Sequence, residues 1–172
     1  MATAARLNDL DFATVASLVD AINEDPENAA TVWHADVRWR GGFRSEAAIR
    51  GFDAVPSDEP EGLGGSNSAP NPVEQVAAAL GNCLAVGYVA QLTARGITVN
   101  DLEIGVTGEL DLRPFLGLAP GHAGYSRFDV SVRIDADTDA DTLQQVHEQV
   151  VATSPVGHTL ANPVPVDVRL VA

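Results

Sequence analysis

The chain has 172 residues, 45% of them hydrophobic, which is enough for one folded domain with a sizeable core that needs neither disulfides nor metals. Its 24 acidic and 10 basic side chains give a formal charge of −14, which argues against nucleic acid and anionic membranes as partners, since both are approached through positive charge. A single cysteine excludes an intramolecular disulfide, and MATAARLNDLDF lacks the basic-then-apolar pattern of a secretion signal, so the cytoplasm is the expected location. No stretch reaches the roughly 18 consecutive apolar residues of a membrane span.

In chain order, Phe12, Val15, Leu18, Val19 and Ile22 fall on one helical face and predict an amphipathic helix from about Asp11 to Ile22. It ends at Asn23-Glu-Asp-Pro26, with a further helical turn expected over residues 28–32. From Thr31 to Phe43, Val32, His34, Val37 and Trp39 alternate with their neighbours in the manner of a strand, with Gly41-Gly42 as a turn or bulge. A second strand is expected from Arg44 to Phe52. The stretch from Val55 to Pro72 carries four prolines and three glycines, so it predicts a long loop through which neither helix nor strand persists. Loops of this length within compact domains are commonly functional or disordered.

The next helix is expected to begin near Pro72, where the missing N–H costs nothing, and to run through VEQVAAALGNCLAVGYVAQLTARG to Gly96. Being apolar nearly all round, it is expected at the centre of the fold, packed against its equivalent in a second chain. Two alternating runs follow, with Leu102, Ile104 and Val106 in one and Phe128, Val130, Val132 and Ile134 in the other, and they predict a hairpin with a wide loop over residues 113–124. Asp137-Thr-Asp-Ala-Asp supplies caps for a helix placing Leu143, Val146 and Val150 on one face. Ser154-Pro155, a short loop and a final strand over VPVDVRLV close the chain. Helix, two strands, long helix, two strands, helix and strand make an α+β domain, without the regular alternation of a parallel sheet.

Few residues carry recognisable chemistry. Cys83, about three turns into the long helix, is either a small core residue or a nucleophile. Its mid-helix position lacks the help of a helix N-terminus, so activation would have to come from another segment. Arg38, Arg40, Arg44 and Arg50 are concentrated in one earlier stretch, where the plainer reading is solvated charge on an exposed strand face. Glu74 is either a first-turn carboxylate favoured by the helix dipole or a partner for one of these arginines. His34, His122, His147 and His158 show no metal-ligand spacing, LGGSNSAP lacks the lysine of a phosphate-binding loop, and Ser154, His158 and Asp167 do not form a nucleophile elbow.

SAPNPVEQVAAALGNCLA, the strand hairpin after it and TSPVGHTLANPVPV together resemble the OsmC/Ohr family of osmotically inducible and organic hydroperoxide resistance proteins. The resemblance divides the chain into an N-terminal helical extension, residues 1–30, and an OsmC-like domain, residues 31–172. It implies an intertwined homodimer with long central helices and antiparallel sheets outside, and active sites at the subunit interface. It further implies that Cys83 attacks the O–O bond of a small organic hydroperoxide, that Arg44 or Arg50 stabilises the thiolate and orients the peroxide, and that Glu74 holds that arginine, although Val73 occupies one position where the family often has glutamate. The family's second cysteine should stand immediately before Pro155, and here that residue is Ser154. A hydroxyl cannot resolve a sulfenic acid into a disulfide, so the expected enzyme is a one-cysteine hydroperoxide reductase that needs no cofactor and depends on an external thiol reductant. The alternative is a non-enzymatic, stress-associated dimer that keeps the fold to bind an apolar small molecule.

Overall fold

The computed structural model describes residues 6–171. The chain separates into two units, one of residues 11–77 and one of residues 78–171 together with 6–10.

In the first unit, Asp11 accepts a hydrogen bond from the Thr14 N–H and caps helix α1, Phe12–Glu24, where the periodicity places it. Pro26–Ala29 forms a 3-10 turn, two residues earlier than the turn expected at 28–32. Strand β1 spans Asp36–Gly41, and β2 spans Arg44–Ala48. Both are shorter than the alternation suggests. Val32 and Trp33 precede β1 and stand exposed, while residues 49–52 form a turn closed by the Phe52 N–H on the Ile49 carbonyl. A third strand, β3, Val55–Ser57, pairs antiparallel with β2 and opposes Pro56 to Glu46. This corrects the expectation that no strand persists beyond Val55. The sheet order β1-β2-β3 leaves β3 at an edge, and an edge strand tolerates a residue that cannot donate on its outer side.

The rest of the expected loop is ordered around Asp58, which is buried. Its carboxylate accepts from the Glu59 N–H at 2.8 Å and from the N–H and hydroxyl of both Ser66 and Ser68 at 2.6–3.1 Å. These donors, the Ser66 hydroxyl foremost, hold its pKa well below the usual carboxylate range. A 3-10 turn at Glu61–Leu63 also lies in this segment. Gly65 is required by a close approach of backbone, because a Cβ there would lie 1.8 Å from the Glu59 carbonyl oxygen.

Helix α2, Pro72–Ala94, starts with a reciprocal cap. The Asn71 side chain accepts from the Glu74 N–H at 2.9 Å, and the Glu74 carboxylate accepts from the Asn71 N–H at 2.8 Å. With 23 residues, and a mean hydropathy of 1.4 over an 18-residue stretch, α2 is long and apolar enough to cross a membrane by length and composition. Here Leu80, Leu84, Tyr88 and Leu92, spaced by four, put one face into the core of the second unit. Its other side is open: Val86 is 70% exposed.

That core is completed by a hairpin and a helix. Strands β4, Val99–Leu110, and β5, Tyr125–Ala136, pair antiparallel with Leu102 opposite Ile134, Ile104 opposite Val132 and Val106 opposite Val130. The inner face is therefore the one the alternation predicts. On the outer face Glu103 stands opposite Arg133 and forms an ion pair with it. The connection holds a short helix, α3, Leu112–Phe115, capped by Asp111. Helix α4, Ala140–Thr153, is capped by Asp139 and buries Val146 and Val150. Gly87 lets α2 approach α4 closely, since a Cβ would lie 2.9 Å from Val150.

Two expectations for the C-terminus fail. The short loop after Ser154-Pro155 is a helix, α5, Pro155–Ala161, with Ser154 as its N-cap and proline in its first turn. Residues 163–171 form no strand, and Val168 is 89% exposed. Their alternation specifies one apolar face, but a strand exists only against the backbone of a neighbour, and among the described residues no strand pairs with them.

Candidate active site

The site grows from two side chains that the fold of the second unit brings together. Cys83 lies midway along α2 and is half-buried. Ser154 lies at the junction of α4 and α5 and is buried. The residue before a proline is driven out of helical geometry, and Ser154 takes φ −67° and ψ 116°, ending α4 and turning the chain into α5. As the N-cap it accepts the Gly157 N–H on Oγ at 3.1 Å. The same oxygen lies 3.3 Å from the Cys83 sulfur. Thus the position at which Ser replaces the expected cysteine is in direct contact with Cys83.

Ser154 also lines a cavity of about 350 Å³ together with Leu80, Leu84, Val132, Val151 and His158. Tyr88 and His147 also line it. The Tyr88 hydroxyl and His147 Nδ1 are 2.5 Å apart, with the two rings stacked. Burial pushes the Tyr88 pKa up, so the phenol is protonated at neutral pH and able to donate to His147. Neither Tyr88 nor His147 carries a sequence signal for this pairing, because it depends on how α2 and α4 pack.

Arg44, Arg50 and Glu74 belong to the first unit. Arg44 opens β2, is exposed, and donates from Nε to the Gly41 carbonyl at 3.3 Å. It lines a small cavity with Asp58, Gly64 and Ser66. Arg50 adopts a left-handed backbone, φ 52°, in the turn after β2, and its guanidinium lies over the Phe52 ring at 4.7 Å and the Trp33 ring at 6.0 Å. Such backbone geometry in a non-glycine residue is uncommon and costs of order 1 kcal/mol. Glu74 caps α2 through Asn71. Of the other early arginines, Arg40 pairs with Glu46 across β1 and β2. Among the described residues no group of three or more His, Cys, Asp or Glu side chains is placed to hold a metal ion.

A family model described as "OsmC-like protein" matches residues 65–169. The chain belongs to the OsmC family. No curated protein matches the sequence. Among solved structures, the chain is similar to an OsmC-like protein from Mycoplasma pneumoniae, with 17% identity and a TM-score of 0.65 over 76% of this chain and 88% of that one. It is also similar to an organic hydroperoxide resistance protein OsmC from Legionella pneumophila, with 16% identity and a TM-score of 0.53 over 76% and 91% of the two chains. A third is described as a putative organic hydroperoxide resistance protein from Vibrio cholerae with captopril bound in one of its active sites; it shares 15% identity and a TM-score of 0.54 over 77% and 88%. At these identities the likeness establishes the fold: α+β, with a long helix and antiparallel sheets.

Proposed function

We propose that this chain is a one-cysteine, thiol-dependent organic hydroperoxide reductase that works as a homodimer in the cytoplasm, serving defence against oxidative stress. The observation that supports this reading is the approach of Ser154 to Cys83 at 3.3 Å within an OsmC fold, with an oxygen beside Cys83 in place of a second sulfur. The Cys83 thiolate attacks the outer oxygen of the hydroperoxide. The O–O bond breaks, an S–O bond forms, and the departing alkoxide takes a proton to leave as alcohol. The sulfur, oxidised by two electrons, is then a sulfenic acid. An external thiol condenses with it, releasing water and forming a mixed disulfide, and a second thiol displaces Cys83 in reduced form. Arg44 or Arg50 orients the peroxide and stabilises the thiolate by charge-assisted hydrogen bonds. Glu74 supports that region by fixing the start of α2. No bound cofactor takes part.

The homodimer is supported by apolar surface that the single chain leaves open. Val37 and Trp39 share one face of the β1-β2-β3 sheet and are exposed, as are Val86 on α2 and the alternating residues Val164, Val166, Val168 and Leu170. A second copy offers both a helix for the sheet face and a backbone for the C-terminal segment.

The test is consumption of cumene hydroperoxide with dithiothreitol or dihydrolipoamide as reductant. Turnover by the natural protein, abolished by Cys83→Ser, is the expected result; no turnover in either counts against the enzyme. A second reading, a non-enzymatic dimer that binds an apolar small molecule, is favoured by the cavity beside Tyr88 and His147. It predicts a rise in thermal stability with apolar ligands and no peroxide consumption.

A further inference from the structure

We propose that Ser154 is the positioning residue for the Cys83 sulfur, donating its hydroxyl hydrogen bond to the thiolate and then to the sulfenic acid formed from it. The inference rests on the reading of Cys83 as the reacting thiol.

The argument begins with the two bonds at Ser154 Oγ. One is to the Gly157 N–H at 3.1 Å, in which the oxygen can only accept. The other is to the Cys83 sulfur at 3.3 Å. A thiolate has no proton, so the hydrogen between sulfur and oxygen in that state is the serine's. The Gly157 bond thereby fixes the oxygen, and the remaining hydroxyl proton is available to the sulfur. Ser154 is only 5% exposed, so water competes little for that proton. A cap serving α5 alone would need the acceptor and nothing more. This hydroxyl also sits against the only sulfur nucleophile that the chain contains.

The consequence for chemistry follows from what oxygen cannot do. In the peroxide step, thiolate, hydroperoxide and one proton give sulfenic acid and alcohol. A cysteine at position 154 would next displace water and form a disulfide. The serine hydroxyl offers no such route and keeps its hydrogen bond instead. The sulfenic acid is held in place until an external thiol arrives, with water as the leaving group of that second step.

The test compares Ser154→Ala and Ser154→Gly, which remove the hydroxyl, with Ser154→Thr, which keeps it. Glycine is tolerated at an N-cap, so that variant preserves the start of α5 if alanine unfolds it. Each full-length protein is alkylated with iodoacetamide at one fixed pH near neutrality, its folding being checked by circular dichroism. Both Ala and Gly are expected to slow alkylation by about tenfold, the size of one hydrogen bond to a charged group, while Thr stays within about twofold of the natural protein. In the absence of thiol, the natural protein and the Thr variant treated with cumene hydroperoxide yield a dimedone adduct at Cys83, and the Ala and Gly variants form it more slowly by a similar factor. Folded Ala or Gly variants that alkylate at the natural rate would overturn the inference and leave Ser154 as a helix cap. Serine-dependent alkylation with no dimedone adduct in any variant sinks the peroxidase reading and leaves the hydroxyl's role intact.

Discussion

Cys83 and Ser154 hold sulfur and oxygen 3.3 Å apart across 71 residues of sequence, in a contact between the middle of α2 and the junction of α4 and α5. Packing of the second unit sets this distance. Leu80, Leu84 and Tyr88 on one helix meet Val146 and Val150 on the other, and Gly87 allows the approach.

At this distance a second sulfur at position 154 meets the first. A disulfide needs a separation of about 2.05 Å, so the two side chains have to close in from the present 3.3 Å contact. Ser154→Cys is expected to form an intrachain disulfide on treatment with equimolar cumene hydroperoxide, and to lose both free thiols. Thiol titration with dithionitrobenzoate before and after oxidation checks this. Two thiols still titrating after peroxide, or an adduct on Cys83 alone, would count against the geometry.

Asp58 predicts a dependence on pH. Its pKa in the folded protein lies well below the ordinary aspartate value of about 4, chiefly because the Ser66 hydroxyl and the Ser68 N–H bond the ionised form. The unfolded chain then binds the proton first as pH falls. The stability that Asp58 contributes is complete above about pH 5 and is lost progressively as pH drops through 4 toward the folded value. Asp58→Asn abolishes this titration and sets an NH2 group against N–H donors on one side, where a carboxylate oxygen accepted. The variant is expected to be less stable than the natural protein at pH 7, with the difference shrinking between about pH 5 and pH 2. Urea denaturation across that range measures it, and a constant difference would show that Asp58 does not titrate as described.

The same segment depends on Gly65. A Cβ there meets the Glu59 carbonyl oxygen at 1.8 Å, and backbone cannot rotate aside as a flexible side chain can. The Gly65 and Asn67 N–H bonds to the Pro60 and Glu59 carbonyls would break as the segment shifts. Gly65→Ala is expected to cost about 1–3 kcal/mol. Gly62→Ala, where no atom lies within 4 Å of the added carbon, should stay within about 0.5 kcal/mol of the natural protein. Equal effects of the two in urea denaturation would contradict the close approach.

The elements visible in the sequence are those whose pattern is a property of one segment. The spacing of Phe12, Val15, Leu18 and Val19 marks α1, and Leu143, Val146 and Val150 mark α4. Alternation in two runs even gives the inner face of the β4-β5 hairpin. What was hidden depends on neighbours. Pro56 reads as a strand breaker until β3 is known to lie at a sheet edge. Ser154-Pro155 reads as a loop, although a serine N-cap before a first-turn proline is also a helix start, and that signal was available. The residues 163–171 read as a strand because alternation describes a face and says nothing of a pairing partner. Resemblance pointed to positions 83 and 154, but only the packing of α2 on α4 supplies their distance. The contact made by Asn8 had no sequence signal.

Asn8 clasps the end of α2 to the start of β4. Its Nδ2 donates to Thr93 Oγ1 at 2.9 Å and to the Ile97 carbonyl at 3.0 Å, while its Oδ1 accepts the Val99 N–H at 2.9 Å. Gly96, in a left-handed conformation, turns the chain between these partners. Asn8 is itself left-handed, φ 53°, a conformation that asparagine tolerates better than most residues. Asn8→Ala loses three hydrogen bonds worth about 1 kcal/mol each and adds strain of about 1 kcal/mol, so a destabilisation of about 4 kcal/mol is expected. Asn8→Gly loses the same bonds without that backbone penalty and should be the milder of the two. Thermal melting of both variants, with hydrogen exchange at the Val99 amide, separates bond from backbone: the Val99 amide loses protection in both, and only alanine shows the added fall in stability. If the Val99 amide stays protected in the glycine variant, the clasp is not what holds the start of β4.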